Sequence, residues 1–454
     1  MYDVIIVGGG PAGLFAAYEL TTKNPSLKIL ILEKGKSIEH RQKHEVMCGI
    51  GGAGTFSDGK LHFTPCLSHE KMLHLYTKDE YQKYLDYVDK IFTDFGVVAE
   101  YYPKDTEKTQ ALVDRCTKNG IHLYVRKIRH VGSDKLPQVI ANFEKFLRER
   151  SIEIKTECIV SDIIVEEGIC KGVIANGGNI LGKSIILGPG RFNAQWMQTI
   201  AKKHGLDYAF EKVEVGVRVE FPEGVMREYS KEMYEAIFMI RTPSYDDVMR
   251  TFCPCFRGMV AIEDYDGFVC VNGHSNSDYG SNNSNFAFVT EIKLTEPVEN
   301  TTKYAKSIAK LANTIGGGKP IVQRLADLRA GRRSTWERIN KSYVQPTLKD
   351  VVPGDISMAF PHRVVTNIIE GLRQLERVMP GIYSGGTLLY APEIKLRSSK
   401  IKTDKYLQTQ IKNLYATGDG AGVSGNIVGA AATGIIAAQG ILKNGIQTQN
   451  LQQL

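Results

Sequence analysis

Two acidic residues far apart in the chain, each beside a glycine turn, are the first candidates for chemistry. Gly8-Gly9-Gly10-Pro11-Ala12-Gly13 fits G-x-G-x-x-G, and Glu33 follows Gly13 by 20 residues. In that spacing Gly8 allows a tight turn, Gly10 lets backbone approach a diphosphate, and Gly13 lets a helix pack closely on a strand. The helix opening at the turn offers unpaired N–H groups and a positive dipole end to the phosphates. The acid, with Lys34 beside it, stands where a ribose hydroxyl is held. The motif alone does not choose between FAD and NAD. The second acid is Asp419, in Leu414-Tyr415-Ala416-Thr417-Gly418-Asp419, a strand ending in a small turn.

Other residues could act on a substrate. Lys60 ends a second glycine loop, Cys48 to Lys60, and could stabilise an anionic cofactor, donate a proton or neutralise phosphate. His274 follows a strand in a polar loop and could be a general acid or base. Arg397 and Glu393 could pair and orient a substrate, and Arg218 and Arg257 could clamp a carboxylate or phosphate. Cys253 and Cys255 would share one face of a regular strand, but a C-x-C disulfide is strained and Pro254 restricts the backbone. The eight cysteines form no C-x-x-C and no zinc spacing, so reduced thiols and no metal site are expected.

These residues need elements to place them. Tyr2–Val7 reads as a strand, Leu14 to about Thr22 as a helix and Lys28–Leu32 as a second strand. Helical periodicity covers 79–95, 105–118 and 134–150, with a strand at His122–Lys127. Ile154–Val160, Ile163–Glu166, Gly172–Ala175 and Ser184–Leu187 read as a β meander returning to the first sheet at Gly188-Pro189-Gly190. Residues 205–385 read as a mixed or antiparallel sheet with a helix near Thr302–Ile315. The expected fold is α/β: a Rossmann-type, three-layer dinucleotide-binding domain with parallel sheet and meander, interleaved with an α+β substrate or cap domain. The first would take 1–204 and 386–454, with a helical insertion at about 66–150, and the second 205–385.

Composition bounds the partners. The 454 residues are 43% hydrophobic and 24% charged, ordinary for a globular enzyme. The net charge of +7 is mild for this length and reads as a soluble protein with a basic surface, or in the sharper reading as a site that attracts an anionic substrate or a nucleic acid. No dense basic block argues for nucleic acid. No signal peptide is read before the first strand, and the apolar Ile427–Leu442 is broken by glycines and shorter than a membrane span. A cytoplasmic protein without a membrane partner is expected.

Taken together, the motifs resemble one family. Gly51 to Lys60, Arg129 to Pro137, Gly188 to Arg191, Gly216 to Glu220, Cys253-Pro254-Cys255, Val271 to Ser275, Glu393 to Ser399 and Gly418 to Gly422 resemble the uncharacterised FAD-dependent dehydrogenases, among the glutathione-reductase-like flavoproteins. The resemblance implies non-covalent FAD and a hydride-transfer oxidoreductase. It implies that Gly8, Gly10, Pro11, Ala12 and Gly13 hold the diphosphate, and Glu33 and Lys34 the adenosine side. Gly51, Gly52, Ala53, Gly54, Ser57, Asp58 and Gly59 would lie along diphosphate and flavin, and Val160 would present backbone to adenine. Gly188 and Gly190 would border the cofactor, with Gly418 and Asp419 at the ribityl chain and Gly425, Asn426 and Ile427 near the flavin. The chain departs from the family at Val423-Ser424-Gly425-Asn426, where another small run is usual. No second complete dinucleotide motif follows a strand, so NAD(P)H would dock transiently, or electrons would come from the substrate or a redox partner protein. An RNA-modifying or RNA-binding flavoprotein is the alternative.

Overall fold

Tyr2–Val7 is apolar on both faces because both are covered: Val4, Ile5 and Ile6 are buried. The computed structural model describes residues 1–42, 47–56, 59–132, 135–265, 267–275, 280–292, 301–395 and 400–451, with side chains to 445. The chain divides into two units, Met1–Tyr101 with Lys127–Glu211 and Ser398–Leu454, and Tyr102–Arg126 with Lys212–Arg397.

In the first unit, Tyr2–Val7 pairs in parallel with Ile29–Leu32 on one side and Gly178–Leu187 on the other. Glu153–Lys155 and Leu414–Ala416 extend the two flanks, also in parallel. Gly178–Leu187 serves two sheets. Its first four residues pair antiparallel with residues 172–175, completing a meander with Val160–Glu166 and Ile169–Ala175, and its second half pairs with the opening strand. The expected α/β architecture of parallel sheet plus meander is present. One boundary differs. The single strand expected over Ile154–Val160 is two, because Glu157 turns the chain at φ +53 while its N–H and that of Cys158 bond to Gly35 O and Glu33 O.

Pro at the first turn preorganises the helix Pro11–Lys23. The helix Ile427–Leu451 crosses it so closely that a Cβ on Gly434 would stand 2.0 Å from Ala12 O. Ile427–Gly445 is long and apolar enough to cross a membrane by composition, but 72% of that window is buried within the fold, as expected for a core helix. Lys78–Asp94 starts at a capping box of Thr77 and Glu80.

The second unit holds an eight-stranded sheet with Val213–Pro222 between Leu388–Lys395 and Asn283–Ile292. Only its edge pair, Ile321–Arg324 with Val352–Pro353, is parallel. The helices Thr301–Ile315 and His362–Leu375 contribute to its core. The division differs from the expected one at three places. Leu388–Lys395 is an interior strand of this sheet, and Ile121–Tyr124 is its edge strand beside Ile237–Arg241, so both belong to the second unit. Residues 205–211 stay with the first, where Tyr208–Ala209 pairs with Lys400–Ile401.

Candidate functional site

Strand direction creates the site in the first unit. Val7, Leu187 and Ala416 end adjacent parallel strands in register, so Gly8, Gly188 and the Thr417-Gly418-Asp419 turn leave the same edge of the sheet. Ligands bind outside the carboxyl ends of such strands. Ala12 lies among these turns: Cβ atoms built on Gly188 and Gly418 would stand 3.5 and 3.4 Å from its own.

Two glycines show what the turn requires. A Cβ on Gly13 would meet Gly8 O at 2.0 Å, so Gly13 is the helix–strand contact that the motif demands. A Cβ on Gly10 would meet only Gly52 Cα, at 3.8 Å. Gly10 therefore faces the second glycine loop across open space. The helix N-terminus behind it has no side-chain cap and no acid in its first turn, which leaves its dipole for an anion.

Glu33 has more partners than a ribose ligand needs. Its Oε2 accepts from Gly9 N at 2.7 Å, and its Oε1 from Gly35 N and Gly49 N at 2.8 Å each. A carboxylate offers about four lone-pair sites, so one remains on Oε2. Glu33 thus ties the first glycine loop to the second and still has an acceptor for a hydroxyl. Lys34 lies over the exposed Phe192 ring at 5.6 Å.

The second loop is held by a residue that sequence reasoning missed. Arg41 Nη1 donates to Ile50 O at 2.7 Å and Gly52 O at 3.0 Å, and its guanidinium lies over the Phe56 ring at 4.8 Å. Ala53–Phe56 is a single 3-10 turn. A Cβ on Gly54 would press on Ile427 at 2.7 Å, so this loop and the start of the closing helix touch. Ser57 and Asp58 lie outside the described residues. Gly59 precedes the buried Lys60, which pairs with His130 in a short ladder. Val160 begins the meander opposite Ala175.

Asp419 is bound by Arg191 Nη2 at 2.9 Å and by Ser424 Oγ. Arg191 also approaches Gly425 O at 3.5 Å. Asn426 caps the closing helix: its Oδ1 accepts from Gly429 N at 2.8 Å, and its Nδ2 donates to Ser68 Oγ at 2.6 Å. The same Nδ2 lies 3.0 Å from His69 Nε2. His69 is buried, with Nε2 also 3.0 Å from His62 O and Nδ1 3.3 Å from Tyr81 Oη. Burial pushes the Tyr81 phenol up, so its hydroxyl stays a donor. No local pattern in Leu67–Met72 marks His69.

In the second unit, His274 ends the hairpin Met259–Tyr265/Phe268–His274 and is exposed. Arg397 lies outside the described residues. Arg218 is fully buried and bonded to Asn285 Oδ1 at 2.8 Å and Cys253 O at 2.7 Å, so it is no open clamp for a substrate anion. Glu393 faces Lys395 at 2.5 Å and Arg218 at 3.7 Å. Burial opposes the Lys395 charge, but Glu393 and its neighbours outweigh that and raise the ammonium pKa. Cys253 sits at φ +42 in a bulge, which breaks the alternation expected for Cys253 and Cys255, and Cys255 Sγ lies 3.3 Å from Arg218 Nη2. All eight cysteines are free thiols. No cluster of three metal-ligating side chains occurs among the described residues.

Two family models match parts of this chain. Residues 212–396 match the family model of the FAD-dependent protein, C-terminal domain-like. The donor set of the first unit fits an FAD-type dinucleotide: a free helix N-terminus, an open glycine cradle and one unfilled acceptor on Glu33. Residues 1–40 match the Thi4 family model. An uncharacterized protein of Clostridium beijerinckii is 23% identical over 97% of this chain and 80% of its own length. The mitochondrial L-2-hydroxyglutarate dehydrogenase of Dictyostelium discoideum is 38% identical over 88 residues, 18% of this chain and 19% of that protein. Among solved structures, pyridoxine 4-oxidase from Mesorbium loti aligns over 97% of this chain and 99% of its own at 12% identity, with a TM-score of 0.48. Glycine oxidase from Bacillus cereus aligns over 98% and 96% at 14% identity, with a TM-score of 0.40.

Proposed function

We propose that this FAD-dependent oxidoreductase transfers hydride between flavin N5 and a small organic substrate, with an anionic group on the substrate and the cytoplasm as its setting. The observation that carries this reading is the convergence of the Gly8, Gly188 and Asp419 turns at one sheet edge. FAD supplies the two-electron chemistry when bound. The protein's share is positional. Gly10 and the uncapped helix take the diphosphate, and Glu33 the ribose. Asp419, braced by Arg191 and Ser424, takes the ribityl side. The closing helix, capped by Asn426, would offer its positive end to the electron-rich part of the ring. Lys60, His274 and Arg397 are our candidates for proton handling and substrate orientation. A 38% identical segment in a 2-hydroxy-acid dehydrogenase supports an oxidoreductase but does not choose the substrate.

An anaerobic visible-absorption titration with NADH and NADPH tests this. Bleaching of a bound flavin by either assigns a pyridine-nucleotide-fed reductase. A flavin that stays oxidised assigns a dehydrogenase reduced by its substrate or a partner protein. A chain that neither carries nor rebinds flavin refutes the proposal.

One observation favours a second reading, an RNA-binding flavoprotein. Exposed Arg329, Arg332, Arg333 and Lys341 interleave with exposed Trp336 and Tyr343 in one basic and aromatic segment. Buried Asp327 folds it by accepting from Arg332 Nε and Ser334 Oγ at 2.8 Å each. Salt-sensitive binding of a labelled single-stranded RNA, weakened by Arg333→Glu, would support this reading, and no binding at low salt would end it.

A further inference from the structure

The first unit carries a cavity of ≈ 490 Å³ whose walls are not the FAD-binding turns. Tyr76, Tyr84, Tyr87 and Tyr406 line it, with Lys83 and Lys405. Its volume is that of an ordinary small-molecule site.

The tyrosine hydroxyls are engaged in ways that fix the rings. Tyr76 donates to Lys405 O at 2.5 Å, Tyr84 to Gln439 Oε1 at 3.2 Å, and Tyr87 to Glu19 Oε2 at 2.9 Å. The rings of Tyr76 and Tyr84 meet edge to face, with centroids 5.5 Å apart. Tyr406 Oη accepts from Lys443 Nζ at 3.4 Å. Burial raises the pKa of Tyr76, Tyr84 and Tyr87, so these walls carry no negative charge near neutrality.

Two lysines and one carboxylate line the cavity, a net positive wall. Lys83 makes no hydrogen bond or ion pair among the described residues. Lys405 and Lys443 lie over the Tyr406 ring at 5.3 and 5.2 Å, cation–π contacts that leave N–H groups for an anion. The carboxylate on this wall, Glu80, accepts from Thr77 N and Oγ1 at 2.8 Å each, and so serves the helix cap. The Thr77 bonds chiefly, with the nearby charges of Lys405 and Lys83, hold the Glu80 carboxyl pKa low. Asp404, beside Lys405, accepts from the backbone N–H groups of Tyr406 and Gln408.

We propose that this cavity binds a planar aromatic anion of mononucleotide size, its ring against the tyrosine faces and its anionic group at Lys83 and Lys405. Aromatic faces select a flat ring, and compact ammonium groups on flexible stems suit a phosphate or carboxylate approached as a point charge. The inference does not depend on the flavin reading.

Calorimetric titration of the FAD-saturated protein tests it, with AMP, adenosine and inorganic phosphate as separate probes. AMP is expected to bind one to one, with adenosine and phosphate each at least about tenfold weaker, because each lacks half of the recognition. Lys83→Glu with Lys405→Glu, and separately Tyr406→Ala, should each weaken AMP about tenfold or more while FAD stoichiometry and far-UV circular dichroism stay unchanged. Lys83 and Lys405 are exposed and Tyr406 is half-buried, so the charge-reversal pair is the variant that leaves packing least disturbed. Phosphate binding as tightly as AMP, AMP binding indifferent to the variants, or no AMP binding at millimolar concentration would each overturn the proposal.

Discussion

Removal of the Glu33 carboxylate should damage the protein before any cofactor is added. In Glu33→Ala, three backbone N–H groups, of Gly9, Gly35 and Gly49, lose their acceptor. Glu33 is 6% exposed, so water does not simply take its place. A buried donor left without a partner costs about 1–3 kcal/mol. Three such donors, partly relieved by water entering the vacated space, give an expected loss of about 3–5 kcal/mol. That is a large fraction of the roughly 5–15 kcal/mol that holds a typical fold. Glu33→Gln should lose about half as much. Its one carbonyl oxygen can still serve Gly35 and Gly49, while its amide N–H₂ meets the Gly9 N–H donor to donor. Urea unfolding of the apo-protein, followed by far-UV circular dichroism, reads these losses, and flavin fluorescence quenching reads FAD affinity separately. If apo Glu33→Ala unfolds within about 1 kcal/mol of the native chain and only FAD binding suffers, Glu33 is a ribose ligand and not a tie between loops, and the reasoning fails.

Gly10→Ala and Gly13→Ala should separate cradle from scaffold. The first adds a Cβ into open space and should weaken FAD with little change in apo stability. The second drives a Cβ to 2.0 Å from Gly8 O and should cost the apo-protein about 1–3 kcal/mol or more. Equal unfolding curves for the two variants would contradict this. Asn426→Ala removes the cap of the closing helix and should cost about 1–2 kcal/mol in chemical unfolding, with Asn426→Asp recovering part of it. Asp162 offers a pH test. Burial works to raise its carboxyl pKa, but bonds from Lys203 and His204 prevail and hold it below the usual range. A lowered folded-state pKa gives stability that is present above the unfolded value and lost as pH falls through the folded one. The thermal-midpoint gap between the native chain and Asp162→Asn should therefore be full near pH 7 and close below about pH 4. A gap that persists in acid would show that charge is not its source.

The glycine turn, its helix and the flanking strands were legible because their signals are local: spacing, apolar runs and a proline at the first turn. Asp419 was legible for the same reason. Arg41, His69 and Arg191 were not, since each gains its partners through folding and stands in a segment with no periodic pattern. Val213–Pro222 shows a different limit. Its alternation of valines with Glu214, Gly216, Arg218 and Glu220 reads as a strand with one wet face, yet all four of those residues are buried. Glu214 pairs with Arg250, and Glu220 accepts from Thr347, Tyr390 and Asn283. Burial raises the Glu220 pKa against those donors. A period of two gives the face of a side chain but not what covers that face. Asn283–Ile292 was missed because it emerges from a Ser/Asn-rich stretch that reads as loop, and the His362–Leu375 helix went unassigned.

The first unit is assembled from three stretches of chain, and the last of them supplies both Leu414–Ala416 and the helix that packs on Pro11–Lys23. A chain leaving the ribosome at about 5–20 residues per second holds the first glycine turn exposed for roughly 20–80 s before that strand exists. The second unit needs nothing beyond Arg397 and can close first. Gly178–Leu187 and the helix Pro11–Lys23 must therefore wait for their last partners, which makes this interval the time when a chaperone, or early FAD, would matter most to the yield of folded protein.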